Sequence, residues 1–238
     1  MREHIVAIHQ PNFFPWLGYF DKIRRAHTFI LLDDVQFPKT GGAWMNRVNI
    51  LQNHAAHWLT APIDRGYSGV RTINHMQFVT TEWRTNLRSQ LHVAYHKAPY
   101  YDASMAYIEP LLMNDEANLA RYNCHVITAL CTLLHLNDTR LCLSSTLDVT
   151  ASSTERLIAL TRSVSGTHYL CGGGAEAYQK DDAFAQAGIA LTYQSFTPTA
   201  YPQHKNDGFI AGLSVIDPLM QLGVDGTRHL IHGEVYRA

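Results

Sequence analysis

Apolar and polar positions along this chain alternate between short continuous runs and helical spacings. Residues 4–9, HIVAIH, form a β-branched run of strand character. Pro11 and Pro15 exclude a continuing ladder or helix, and helical spacing resumes through Trp16, Leu17, Phe20 and Ile23, with Pro15 suited to a first turn. TFILLDD at 28–34 is a second apolar run, so the order is strand, helix, strand. The segments 44–50, 57–63 and 70–79 read as extended, interrupted by Pro62 and Gly66. Residues 81–96 carry Trp83, Leu87, Leu91, Ala94 and Tyr95 on one helical side and Arg84 and Arg88 on another. The stretch from Tyr101 to His135 is mostly helical, with breaks around Pro110 and Asn114. A strand at 139–145 follows, then a helix at 152–166 that opens on Ser152 and Glu155 in capping-box spacing and stops at Gly166. THYLC supplies a strand, Gly172, Gly173 and Gly174 a turn, residues 175–187 a helix, and IALTYQSF another strand.

This alternation predicts an α/β fold: an open, mostly parallel sheet flanked by helices. With no repeat or polar linker, residues 1–238 read as a single compact domain, carrying a small β-rich antiparallel insertion at 44–79. The expected sheet core is Ile5, Ala7, Ile30, Leu32, Leu141, Leu143, Tyr169 and Leu191. A hydrophobic content of 46% is ample for it. The formal net charge of -1 gives no broad electrostatic reason to expect nucleic acid or an anionic membrane, although 14 histidines make the charge sensitive to mild acid. MREHIVAIHQ lacks the apolar region of a signal peptide and no transmembrane segment is evident, so a cytoplasmic protein is expected. Cys124, Cys131, Cys142 and Cys171 show no CxxC spacing.

In an open α/β sheet, ligands bind beyond the carboxyl ends of the strands, where His9, Gln10, Asp33 and Asp34 fall. Adjacent strand residues point oppositely, so Asp33 and Asp34 do not form an equivalent pair. One can orient His9 or hold a metal while the other caps a loop, and capping is the structural alternative for both. Phe14 and Trp16 read as packing for the first helix. The Gly41–Gly42 turn lets Lys39 and Arg47 approach a ligand. The glycines after Cys171 can expose backbone N–H groups to an anion, but they match neither GxGxxG nor GxxxxGK[ST]. Cys171 itself is either a nucleophile activated by a neighbouring group or a small strand-end side chain. Cys131 with His135, and His92 with His96, share helix faces but lack further ligands, so a metal requirement is unknown. Tyr201, Gln203 and His204 lie in a proline-containing loop that reads as a binding element or a solvated connection.

The stretches IHQPNFFPWLGYFDKI, LLDDVQFPK, NRVNI, WLTAPI, HKAPYY, STERLIAL, YLCGGGAEAY, YPQ and LSVIDPLMQLG, in that order, closely resemble the WbqC-like family over nearly the whole chain. That family is associated with bacterial O-antigen and other surface-glycan biosynthesis. The resemblance selects His9, Gln10, Pro11, Asn12, Pro15, Trp16, Gly18, Tyr19, Asp21 and Lys22. It also selects Asp33, Asp34, Gln36, Arg47, Asn49, Gly172, Tyr178, Tyr201 and Gln203. Cys171 stands where the family pattern usually has serine, which weakens a cysteine nucleophile.

The implied activity is a transferase modifying an activated amino sugar by acyl or aminoacyl transfer. His9 would be the general base, Asp34 its orienting partner and Arg47 the group that stabilises phosphate or developing negative charge. Gln10, Asn12, Tyr19, Asp33, Gln36, Asn49, Gly172, Tyr178, Tyr201, Gln203 and His204 would bind substrate. The cofactor is unknown; the donor is an activated acyl or aminoacyl group of unidentified carrier. Expected partners are a sugar or sugar nucleotide and glycan-biosynthesis enzymes or a carrier protein, with no nucleic acid. Nucleotidyl transfer to a sugar phosphate is one alternative, and a non-enzymatic sugar-binding or assembly protein is another.

Overall fold

Five short strands, all parallel, form the main sheet in the order β5-β2-β1-β6-β7. They are β1 (Ile5–His9), β2 (Thr28–Leu31), β5 (Arg140–Leu143), β6 (His168–Cys171) and β7 (Ala190–Tyr193). The structure, a computed structural model, describes residues 3–39, 43–172, 181–204, 206 and 208–233. Helix α1 (Leu17–Arg24) connects β1 to β2, and α5 (Ser153–Ser163) lies between β5 and β6. The chain therefore builds outward from β1 on one side and then returns to build on the other. The strand order reverses between β1 and β6, which is where an open α/β sheet leaves a crevice at its carboxyl edge.

Strand alternation divides the apolar side chains between two faces. Ala7, Leu31 and Leu170 join Tyr19 and Phe20 of α1 in one buried cluster, while Val6, Ile8, Ile30, Tyr169 and Cys171 join Leu160 of α5 and Phe184 of α6 (Asp181–Gln186) in another. Covering both faces explains why these strands read as continuous apolar runs. Of the expected sheet core, Ala7, Ile30 and Tyr169 are fully buried. Leu141, Leu143 and Leu191 are half-buried because β5 and β7 are the edge strands, and Ile5 and Leu32 because they sit at strand ends.

The antiparallel insertion is the hairpin of β3 (Arg47–Gln52) and β4 (Ala55–Thr60). Residues 70–79 do not extend it as a strand. They make only isolated bridges, Gln36 with Thr72, Ile63 with Phe78 and Gln77 with Asn118, and wind into a 3-10 turn at Ile73–His75. The reason is local: the amides of Ile73 and Asn74 donate to the carbonyls of Val35 and Asp33, which pins the segment to the loop after β2 instead of to a ladder. The remaining helices are α2 (Trp83–Tyr95), α3 (Tyr101–Leu112), α4 (Leu119–Leu133) and α7 (Ile216–Ile231). Pro110 lies inside α3, near its end, and the helix stops two residues later.

At α5, Ser152 occupies the N-cap position but its hydroxyl makes no capping bond. The C-terminal stop is a Schellman arrangement, with Gly166 N–H donating to Thr161 O at 2.8 Å and Ser165 N–H to Arg162 O at 2.9 Å. Ser165, not Gly166, is the left-handed residue, at φ 61. Gly166 is required by space: a Cβ there would lie 2.5 Å from Val6 Cγ2. Of the helix expected at 175–187, only α6 falls within the described residues. Among those residues, no helix is long and apolar enough to cross a membrane.

Candidate active site

His9 is the last residue of β1, and the loop from Gln10 to Trp16 crosses the carboxyl edge of the sheet before α1 begins. That loop is fixed by other elements and not by its own regularity. Phe13 N–H donates to Trp44 O at 2.8 Å, Val215 N–H to Pro15 O at 2.8 Å, and Ser214 Oγ to Phe14 O at 2.7 Å. Buried Asn123 on α4 donates Nδ2–H to both Pro11 O and Met45 O, tying the loop to the start of the hairpin. Between these supports opens a cleft of about 310 Å³, lined by His9, Asn12, Trp16, Trp44 and Gly212.

His9 is oriented by its own neighbour. Its Nδ1 lies 3.0 Å from Gln10 O, and a carbonyl can only accept, so Nδ1 carries the proton and the neutral ring keeps its lone pair on Nε2. The ring packs edge-on to Tyr19, whose hydroxyl donates to the same Gln10 carbonyl at 3.0 Å. Burial, and next the charge of Lys22, lower the His9 pKa to about 4. His9 is thus neutral throughout the ordinary pH range.

Trp16 and Trp44 form the aromatic walls. Trp16 packs against Gly18 of the first helix and touches Phe196, and being half-buried it also faces the cleft. Trp44 is exposed and contacts Trp58 at 5.1 Å between ring centroids, and the Arg47 guanidinium sits over Trp58 at 3.9 Å. Arg47 is therefore linked to the cleft through two indoles. In the cleft lining, Asn12 Oδ1 is buried without a hydrogen-bond partner among the described residues, as are Arg47 Nε and Asn49 Oδ1 on β3. Such atoms are uncommon in native proteins and suit a ligand that completes them.

The other candidates are placed differently. Asp33 is buried and accepts from the Ser145 amide at 3.0 Å and the Ser145 hydroxyl at 2.7 Å, so it caps the turn after β5. Asp34 pairs with Arg156 of α5 at 2.6 Å and with the Ser144 hydroxyl; it makes no hydrogen bond to His9. Tyr19 is buried and braces His9 from behind. Gln36 is exposed and bridges to Thr72. Gly172 directly follows β6, and Tyr178 lies outside the described residues.

Tyr201 and Gln203 turn inward to Asp217 on α7, which also accepts from Tyr95. His204 lines a separate groove with residues of β3, α2 and α7. Among the described residues, no group of three or more histidine, cysteine or acidic side chains could hold a metal ion. Cys171 is buried on the α5 side of the sheet, and burial raises its pKa against the opposing charge of Lys22, which supports the strand-end packing role.

The WbqC-like protein family model matches residues 10–229. The chain belongs to the WbqC-like protein family. A curated relative, uncharacterized protein Rv1507c of Mycobacterium tuberculosis (strain ATCC 25618 / H37Rv), is 28% identical over 228 residues, covering 94% of this chain and 96% of that protein. No solved structure matches.

In this WbqC-like chain, the cleft-lining residues that motif reading left out are Trp44 and Gly212, and with them Trp58, which packs against Trp44. Trp44 and Trp58 had a signal, since large aromatics flanking Arg47 on an edge hairpin are candidates for a contact surface. Gly212 had none, because its approach to Trp16 depends on the long-range bridge between Trp16 and Ser214.

Proposed function

We propose that this WbqC-like protein is a transferase acting on an activated amino sugar in surface-glycan biosynthesis, passing an acyl or aminoacyl group to the sugar amine. The observation that carries this reading is the His9 tautomer: Nδ1–H is held by Gln10 O, which leaves the lone pair of Nε2 to accept a proton beside an aromatic-walled cleft. The indoles of Trp16 and Trp44 suit the apolar face of a sugar ring and attract a ring ammonium before it is deprotonated. Asn12 and Asn49 supply acceptors for hydroxyl groups, and Arg47, beyond Trp58, supplies positive charge for the activating phosphate. In the reaction the amine nitrogen attacks the donor carbonyl, the carbonyl carbon loses its leaving group, and the amine proton passes to His9 Nε2. The carboxylates on which a metal-dependent nucleotidyl transfer would draw, Asp33 and Asp34, have Ser144, Ser145 and Arg156 as partners, so the geometry gives acyl transfer the stronger support.

The test is incubation of the purified protein with amino-sugar nucleotides and a panel of thioester and adenylate donors, followed by product mass. A mass increase equal to the transferred group, lost in His9→Gln, is expected. Sugar binding with no mass change across the whole panel would overturn the transferase reading in favour of recognition alone.

A further inference from the structure

Lys22 is a lysine with no business in a packed core unless something answers its charge. It is only 2% exposed, on the face of α1 that covers the sheet, and Nζ donates to Ile8 O at 2.9 Å. A lysine ammonium carries three N–H donors, so two remain without a partner among the described residues. No carboxylate stands within ion-pairing distance among those residues. Asp21, its neighbour on the helix, is taken up by Arg24, Arg25 and Gln194. The titratable groups of the sheet whose charges act on the amine are His9 at the end of β1 and, from the opposite face, Cys171 at the end of β6, and neither is acidic in the ordinary pH range.

The remaining neighbour is Gly172. Leu170 faces the α1 side of the sheet, so by strand alternation position 172 faces it too, at the point where β6 passes the carboxyl end of β1. A Cβ on Gly172 would have the Lys22 amine as its nearest neighbour, 3.8 Å away. Its φ is not in the left-handed region, so glycine is not demanded by the backbone here. Among the described residues, its chain neighbours aside, no other atom lies within 4 Å of that Cβ position, so the missing side chain leaves room beside a buried cation, at the reversal of strand order where open α/β sheets receive ligands.

We infer that Lys22 and Gly172 form an anion subsite beside His9 that takes a phosphoryl group of the activated substrate. This deepens the reading of the His9 cleft as the active site and rests on it. A phosphoryl oxygen over Gly172 would meet the two Lys22 N–H groups that have no partner among the described residues and supply a counter-charge that none of those residues provides. Burial lowers the Lys22 pKa to about 8, so the charge that attracts the anion is lost just above neutrality unless the anion is bound. Two sources share this chemistry: the diphosphate of a sugar nucleotide acceptor and the phosphates of a coenzyme A donor.

Calorimetric titration of the purified protein with ADP and with coenzyme A, between about pH 7 and 9, tests the subsite in a range where phosphate charge is nearly constant. Binding is expected to weaken as pH rises through the Lys22 pKa. In Lys22→Met the affinity should fall about tenfold or more and the pH dependence should flatten. Gly172→Ala keeps the cation but fills the space, and should weaken binding with the pH dependence retained. Preference for ADP assigns the subsite to the acceptor, and preference for coenzyme A assigns it to the donor. Wild-type binding unchanged within about twofold in both variants, or no binding of either probe by the wild type, overturns the subsite. Intact binding in Lys22→Met together with lost transfer would sink the subsite and leave the transferase reading standing. Binding that depends on Lys22 with no transfer from any donor would do the reverse.

Discussion

The indole of Trp16 lies directly against Gly18, the second residue of α1: a Cβ on Gly18 would stand 2.4 Å from two atoms of the six-membered ring. Trp16 can form a wall of the cleft because the helix beneath it has no side chain at that position. Gly18→Ala should therefore cost about 1–3 kcal/mol of stability, or displace the indole and open the cleft. Chemical denaturation and tryptophan fluorescence distinguish the two. An unchanged midpoint with an unchanged emission spectrum would refute the contact.

His9 makes a prediction in acid. Its folded pKa of about 4 lies below the ordinary histidine value, so between those two pH values the unfolded chain binds the proton that the folded chain refuses. The neutral ring thus contributes stability that is present above about pH 6.5 and is lost as pH falls toward 4, on the order of 3 kcal/mol in all. His9→Gln should lose less stability than the wild type between pH 6.5 and 4 when urea midpoints are compared. Equal slopes in the two proteins would count against a buried, neutral His9.

How far the sequence carries depends on the range of the forces involved. The strand and helix order was legible because parallel strands covered on both faces are continuous apolar runs, and α1 announces itself through Pro15 and the spacing of Leu17, Phe20 and Ile23. His9 and Gln10 at the end of β1 followed from that order alone. Residues 70–79 read as extended, and they make isolated bridges without joining the hairpin because bridging to the loop after β2, which no local pattern encodes, replaces a ladder. The partners of Asp34 were hidden for a similar reason: Arg156 lies far along the chain, and only the parallel pairing of β2 with β5 brings Ser144 beside the acid. The same holds for Trp44, which reaches the cleft through the bond from Phe13 N–H to its carbonyl.

Lys22 should trade stability for function. Below its folded pKa of about 8 the protein holds in its interior an ammonium that no carboxylate among the described residues neutralises, so removing the charge relieves a desolvation penalty. Lys22→Met is expected to raise stability by about 1–3 kcal/mol at neutral pH without ligand, with transfer activity impaired. The gain should shrink as pH rises from 8 toward 10.5, where the wild-type amine is already neutral in the folded state. A destabilised variant would show that the bond from Nζ to Ile8 O outweighs the buried charge.

Trp44 and Trp58 are 45% and 42% exposed, which separates their role in binding from any role in folding. Trp44→Ala should change stability by no more than about 0.5 kcal/mol. It should nevertheless weaken binding of an amino-sugar nucleotide about tenfold, by removing one aromatic wall. Trp58→Ala should act more weakly, since that ring reaches the cleft only through Trp44 and the guanidinium of Arg47. Equal affinity in wild type and Trp44→Ala would remove the sugar from this cleft.

Tyr201 has the profile of a binding residue by motif, yet its hydroxyl donates to Asp217 Oδ2 at 2.6 Å in a fully buried network. The other carboxylate oxygen accepts from Tyr95 at 2.9 Å, and Tyr95 in turn accepts from the Leu51 amide of β3. The network thus ties the hairpin, α2, α7 and the loop before α7 together, at a distance from the cleft lining. Burial raises the Asp217 pKa and the hydrogen bonds oppose that shift, so each donor matters for keeping the acid in place. Tyr201→Phe should cost about 1.5–3 kcal/mol, the range for a hydrogen bond to a charged group, and Asp217→Ala more, because it strands two buried phenols. If the network is structural, the Michaelis constant of Tyr201→Phe for the sugar substrate stays within about twofold of wild type at a temperature where the variant is folded. A large rise in that constant with unchanged stability would instead put Tyr201 in contact with substrate.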